Sequence, residues 1–136
     1  VEDKEMLKKL AGCKKNGSAF LEGCALAVVV LANVMESDVW IEDASVASIY
    51  MLLQAEDLGL GSCWCQIRNR VTEDEVDSNN YVRSLLDIPY LLDVLSIIGI
   101  GYKDQVRKPF DESHLQWEKI HIGKFSLPEE NKETGE

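Results

Sequence analysis

The sequence predicts a three-layer α/β or α+β domain, with helices on both faces of a small sheet. Three observations carry this. The apolar segments run in the order helix, strand, helix, strand, helix, strand. Residues 25 to 32, Ala-Leu-Ala-Val-Val-Val-Leu-Ala, form a valine-rich run of the kind found in strands covered on both faces. A long segment from Trp40 to Leu58 spreads Ile41, Val46, Ile49, Tyr50, Leu52, Leu53 and Ala55 around the whole helical wheel, the pattern of a buried helix.

Taken in order, Met6, Leu7 and Leu10 recur at helical spacing among charged residues and give a short surface helix from Asp3 to Leu10, broken by Gly12, Asn16 and Gly17. The valine run is read as a central strand. Met35 to Asp38 is a polar turn, and the long helix follows, stopped by Gly59, which adopts a left-handed conformation without strain. A second strand is expected over 62 to 67. Thr72-Glu73-Asp74-Glu75 has the form of a capping box opening a short acidic helix, and Tyr81, Val82, Leu85 and Leu86 continue helical spacing up to Pro89. Val94 to Ile100 is the third strand. Beyond Gly101 the chain reads as mostly extended, with an edge-strand alternation at Ile120-His121-Ile122, and the last residues form a polar tail over 126 to 136. One domain, 1 to 125, precedes that tail.

Composition narrows the function. The 136 residues include 24 Asp and Glu against 14 Lys and Arg, a formal charge of -10, which disfavours nucleic acid or an anionic membrane as partner. No apolar run approaches a membrane span and the first residues do not resemble a signal peptide, so a cytoplasmic protein is expected. Cys13, Cys24, Cys63 and Cys65 lack the density of a disulfide scaffold and the paired spacing of a zinc knuckle. Structural thiols are the default; Cys63 and Cys65 project from the same strand face and could form a redox or metal pair.

The stretch Leu58-Gly59-Leu60-Gly61-Ser62-Cys63-Trp64 puts two glycines between a helix and a strand, so the backbone there can meet a neighbouring element or a ligand closely. A tight connection explains it equally. It is not a dinucleotide loop, whose glycines follow a strand and open a helix. Gln66, Arg68, Asn69 and Arg70 bring amide and cationic donors to the strand exit, where they could hold an anionic or heteroaromatic ligand or pair with surface carboxylates. His114 and His121 lie far from any Ser or Cys, so a nucleophilic triad is unsupported. The cluster Glu73, Asp74, Glu75 and Asp77 lacks the order of a calcium loop. Trp40 and Trp117 suit either a subunit interface or ordinary packing.

Four blocks in order, Ala27 to Ala32, Ser37 to Ser45, Leu58 to Arg70 and Ile98 to Tyr102, resemble the nitroreductase-like flavoproteins, with the glycine-tryptophan block the most specific. The resemblance runs from Val1 to about Phe125. It implies an α+β subunit with a mainly antiparallel sheet around a long buried helix, working as a homodimer with FMN at the interface. It also implies an NAD(P)H oxidoreductase reducing nitroaromatics, quinones or similar small acceptors. Carried onto this chain, the backbone of Trp64, Cys65, Gln66 and Ile67 lies against the flavin ring, with Gly61 and Ser62 at the preceding turn, and Lys119 is the counterpart of a basic phosphate contact. No catalytic side chain and no metal are implied, because the cofactor supplies the chemistry. The Arg-rich and Pro-Ser-x-x-Asn segments with which such proteins open do not occur in this sequence, nor do the helices that accompany them. The alternative is therefore a truncated, non-catalytic relative that dimerises or binds flavin without turnover.

Overall fold

A computed structural model describes residues 1–105 and 108–125 of the chain. The chain divides into two units, Val1–Asp104 and Gln105–Glu136. The polar tail expected over 126 to 136 lies outside the described residues.

The first unit is an α+β sandwich. Helix α1 (Lys4–Ala11) starts where the Asp3 carboxylate accepts the Met6 amide at 2.8 Å, and its charges suit its dipole, with Glu5 in the first turn and Lys8 and Lys9 in the last. A 3-10 turn (Ala19–Gly23) leads into β1 (Leu26–Asn33); α2 (Trp40–Asp57), β2 (Leu60–Gln66), α3 (Ser78–Leu85) and β3 (Leu92–Tyr102) follow. The three strands are antiparallel in the order β1-β3-β2. Leu7, Leu10, Cys65, Ile67, Val82 and Ile97 form the core on one face, under α1 and α3. Val30, Ala44, Leu95 and Ile98 form the core on the other, under α2. Fully burying each large aliphatic side chain contributes about 1.5–3 kcal/mol, so these two layers hold the sheet in place. The register of β1 on β3 shifts between Val30 and Leu31, which pair with Ser96 and Val94, and this bulge lets Leu95 join Ile98 beneath α2 while Val94 joins Ile97 on the opposite side.

Several expectations are corrected. Among the described strands the valine run lies at the edge and β3 is central: β1 pairs with β3 on one side, and on its other side Ala27 exchanges two bonds with the terminal Val1, at 2.8 and 2.9 Å. The helix expected to be buried on every side is covered on one. Ala44, Ser48 and Ala55 of α2 are buried, while Val46, Ile49, Tyr50 and Leu53 are exposed, because a three-stranded sheet covers only the stripe that faces it. Thr72 to Glu75 opens no helix. The Thr72 amide donates to the Val76 carbonyl at 2.8 Å across a tight turn and the Val76 amide donates to the Thr72 hydroxyl at 3.2 Å, Glu75 takes a left-handed φ of 59°, and Asp77 caps α3 by accepting the Asn80 amide at 2.9 Å. The turn wins because Val71 bridges Asp77 and the Ser78 amide must return to the Arg70 carbonyl.

Within the second unit, Glu112–His114 and Trp117–Lys119 are 3-10 turns, and Ile120 to Ile122 forms no strand, there being no neighbouring strand for it to pair with among the described residues. No helix among the described residues is long and apolar enough to cross a membrane.

Candidate functional site

The glycine turn and β2 build the site. Helix α2 ends at Asp57, the Gly59 amide returns to the Glu56 carbonyl at 2.9 Å, and Gly59 holds φ at +74°, where a Cβ would be strained. The chain then enters β2, whose inner edge pairs with β3 from Leu60 opposite Tyr102 to Gln66 opposite Ser96.

Which amides β2 leaves free follows from the ladder. Ala25 donates to the Ile100 carbonyl on the β1 side, and Ile67 donates to the Leu95 carbonyl on the β2 side. Antiparallel pairs alternate between hydrogen-bonded and open. The amides of Gly61, Cys63, Cys65 and Ile67 therefore face β3, and those of Ser62, Trp64 and Gln66 point out along the open edge. No backbone acceptor for these three occurs among the described residues. Of the four residues Trp64, Cys65, Gln66 and Ile67, only Trp64 and Gln66 can offer a backbone donor to a ligand.

The side chains hold this edge rigid. Trp64 Nε1 donates to Gln66 Oε1 at 3.0 Å, and Gln66 Nε2 donates to the Arg68 carbonyl at 3.0 Å. Trp64 packs against the α2 core; Cys65 and Ile67 are fully buried on the opposite face. Beyond the strand, Arg70 donates its amide to the Ile67 carbonyl through a turn in which Asn69 has φ of 58°. Among the described residues neither Arg68 nor Arg70 pairs with a carboxylate; Arg70 instead donates to the Asn69 carbonyl at 2.8 Å.

Below the turn, on the face opposite α2, an open hollow of about 800 Å³ is lined by Phe20, Cys24, Gly61, Cys63, Gly99 and Gly101, among others. Gly61 and Ser62 contribute to it. Lys119 lies exposed in the second unit, on the turn Trp117–Lys119. His114 and the acidic residues 73, 74, 75 and 77 are exposed, and no group of three metal-ligating side chains occurs among the described residues. Trp40 is half-buried against the α2 core, and Trp117 is exposed.

Cys63 and Cys65 project to the same face as expected but are not partners. Cys63 is exposed at the hollow, while the Cys65 sulfur lies 4.0 Å from Cys13, 52 residues away. No sequence signal links those two. The alternation of free and spent amides was latent in the period of the strand, but reading it requires knowing which strand pairs with β2.

The family model described as the Nitroreductase family matches residues 2–102. A protein of Archaeoglobus fulgidus, named provisionally as an NADH dehydrogenase/NAD(P)H nitroreductase, is 35% identical over 132 residues, covering 92% of this chain and 71% of the relative. A protein of Methanothermobacter thermautotrophicus with the same name is 30% identical over 125 residues, covering 88% of this chain and 62% of the relative. Among solved structures, an FMN-dependent nitroreductase from Clostridium difficile R20291 superposes with a TM-score of 0.89 at 45% identity, covering 92% of this chain and 73% of the other.

Proposed function

The chain belongs to the nitroreductase family, a family of oxidoreductases, and on that premise we propose that it serves as an FMN-dependent NAD(P)H oxidoreductase reducing nitroaromatics, quinones or similar small acceptors. The observation that carries the reading is the open edge of β2, where the outward amides of Trp64 and Gln66 are held by the indole-to-amide bridge at 3.0 Å. Donors two residues apart on a fixed strand stand roughly 6–7 Å apart, a spacing that suits acceptor atoms along one edge of a planar heteroaromatic ring. The residues present fit a flavin on that test.

When bound, FMN supplies two-electron transfer between the nicotinamide donor and the acceptor. The chain's own residues do the positioning. Gln66, with Trp64 behind it, sets the ring edge against the strand through backbone donors that cost no reorganisation. Gly61 and Ser62 let the turn approach closely. Val46, Ile49, Tyr50 and Leu53, at helical spacing on the exposed side of α2, support a homodimer with this face as the interface. A net charge of -10 and the lack of a long apolar helix among the described residues support a cytoplasmic protein.

The test is to add FMN to the purified protein and follow quenching of flavin fluorescence, then NADH or NADPH oxidation with a nitroaromatic or quinone. Gln66→Pro removes one outward amide together with the side-chain bridge to Trp64, without touching the β3 ladder, so flavin affinity should fall about tenfold or more while the circular dichroism is retained. Failure to bind FMN would favour the non-catalytic reading. Flavin binding that is indifferent to Gln66→Pro would remove the strand edge from the site.

A further inference from the structure

We propose that Cys13 and Cys65 form a redox-active dithiol that a small peroxide oxidises to a disulfide, tying the loop after α1 to β2. The geometry is specific. The two sulfurs stand 4.0 Å apart in a fully buried setting, at a separation of 52 residues. A disulfide needs about 2.05 Å between sulfurs, and closing the remaining gap lies within reach of side-chain rotation. Both backbones are already fixed. Cys65 sits in the β2–β3 ladder opposite Ile97. The Cys13 carbonyl accepts the buried Ser78 hydroxyl at 2.6 Å, and Ser18 ties the same loop through the carbonyls of Ala11 at 2.7 Å and Lys14 at 3.2 Å.

The two thiols are not equivalent. Cys13 is held below the ordinary thiol value, chiefly by the hydrogen bond from Cys65, with Ser18 and the Lys14 ammonium assisting against burial. Cys65 is pushed up, chiefly by that same bond and then by burial. Cys13 is the nucleophile and Cys65 the resolving thiol. Both sulfurs are fully buried; Lys14, adjacent to Cys13 in the chain, is half-buried and lines an open hollow of about 320 Å³ with Lys15, Asn16, Asn69 and Arg70, and peroxide would enter from this side as the loop opens locally. The reaction balances in two steps. The Cys13 thiolate attacks one peroxide oxygen, the O–O bond breaks, and the departing hydroxide is protonated to water, leaving a sulfenic acid. The Cys65 sulfur then attacks the Cys13 sulfur, the S–O bond breaks, and the Cys65 proton leaves with that oxygen as a second water. Two thiols are oxidised by two electrons and one peroxide is reduced. Cys63, although exposed, has no part in this pair, and Cys24 lies in the other hollow.

The experiment treats the whole chain carrying Cys63→Ser with equimolar hydrogen peroxide, unfolds it, alkylates the remaining thiols and digests it without reductant. A Cys13–Cys65 linked peptide, the loss of two hydrogen masses from the intact protein, and an upward shift of the urea midpoint that dithiothreitol reverses are expected. Recovery of both residues as alkylated thiols, or a linked peptide joining Cys24 to either of them, overturns the inference. These readouts do not involve flavin, so they stand or fall apart from the enzymatic reading.

Discussion

Ser48 on α2 and Ser96 on β3 meet at 3.0 Å between hydroxyl oxygens in a fully buried site. Ser48 donates its proton to the Ala44 carbonyl at 2.7 Å, so Ser96 is the donor in the pair. This is the polar link that fixes α2 on the sheet, and it makes the two serines unequal. Ser48→Ala strands the Ser96 proton in an apolar layer and should cost about 1–3 kcal/mol, whereas Ser96→Ala removes one bond and leaves Ser48 bonded, costing about 0.5–1.5 kcal/mol. The double variant should be more stable than the sum of the two losses implies. Urea denaturation of the four proteins closes the cycle: strict additivity would refute the contact, and a larger cost for Ser96→Ala than for Ser48→Ala would refute the assigned donor.

Gly99 permits the close approach of the 3-10 turn to β3. A Cβ there would lie 2.6 Å from both Cys24 Sγ and Phe20 Cε2, and 3.2 Å from Leu21 Cδ2. Gly99→Ala should destabilise by about 1–3 kcal/mol through overpacking. Adding Cys24→Ala should recover only part of that loss, because the Phe20 ring remains; thermal or urea unfolding measures both.

Alkaline pH should weaken the fold through Cys24. Burial first, and then the neighbouring Cys63, raises its thiol above the ordinary value of 9.0. The folded state therefore holds this proton more tightly than the unfolded state. Its contribution is fully present below pH 9.0 and is lost as the pH rises through the folded-state value. Cys65 and Tyr81 are raised too, adding to the loss, and Cys13 is lowered, opposing it. Stability measured from neutral pH to above 9 should fall, and Cys24→Ala should flatten the slope even though its absolute stability is lower. An unchanged slope would exclude Cys24 as a source.

The exposed stripe of α2 gives the proposed dimer its test. Leu53 is 61% exposed in the single chain. If it is buried twice in a two-fold interface, Leu53→Glu forfeits about 1.5–3 kcal/mol per copy and raises the dimer dissociation constant by roughly 10²–10⁴. Analytical ultracentrifugation should show monomers at concentrations where the unaltered protein is dimeric. Equal sedimentation of the two would place the interface elsewhere.

Trp64→Phe keeps the ring packed against α2 and removes the bond to Gln66 Oε1. Because the backbone donor survives, flavin affinity should fall severalfold, less than for Gln66→Pro, with stability lowered by about 0.5–1.5 kcal/mol. Fluorescence titration and urea unfolding separate the two effects. Because Gln66→Pro loses the bridge as well as the amide, an equal loss of affinity in Trp64→Phe would mean that the amide adds nothing beyond the bridge.

Local pattern made much of this molecule legible. The helix from Trp40, its stop at Gly59, the strand after the glycine turn and the third strand, expected over Val94 to Ile100 and running two residues further at each end, follow from periodicity and backbone sterics, which neighbouring residues dictate. The capping motif misled because Thr72 and Glu75 satisfy a turn as readily as a helix, and the choice lay with the bond from Ser78 to Arg70. The valine run looked central because both its faces are largely covered, although among the described strands only β3 pairs with it, its other edge meeting just the terminal Val1 at Ala27. Apolarity reports coverage of the faces and is silent about the edges.

By itself the sequence determined the order of the main helices and strands, the family blocks whose resemblance implies the α+β class, and the glycine turn that opens the site. Tertiary structure alone decided the strand order, and with it which amides of β2 are spent on β3 and which, at Ser62, Trp64 and Gln66, face outward. It also brought Cys13 to Cys65 and exposed one side of α2. The reason is the range of the forces: propensity and side-chain period act over a few residues, whereas ladder pairing, layer coverage and sulfur contacts join segments tens of residues apart that no local pattern encodes.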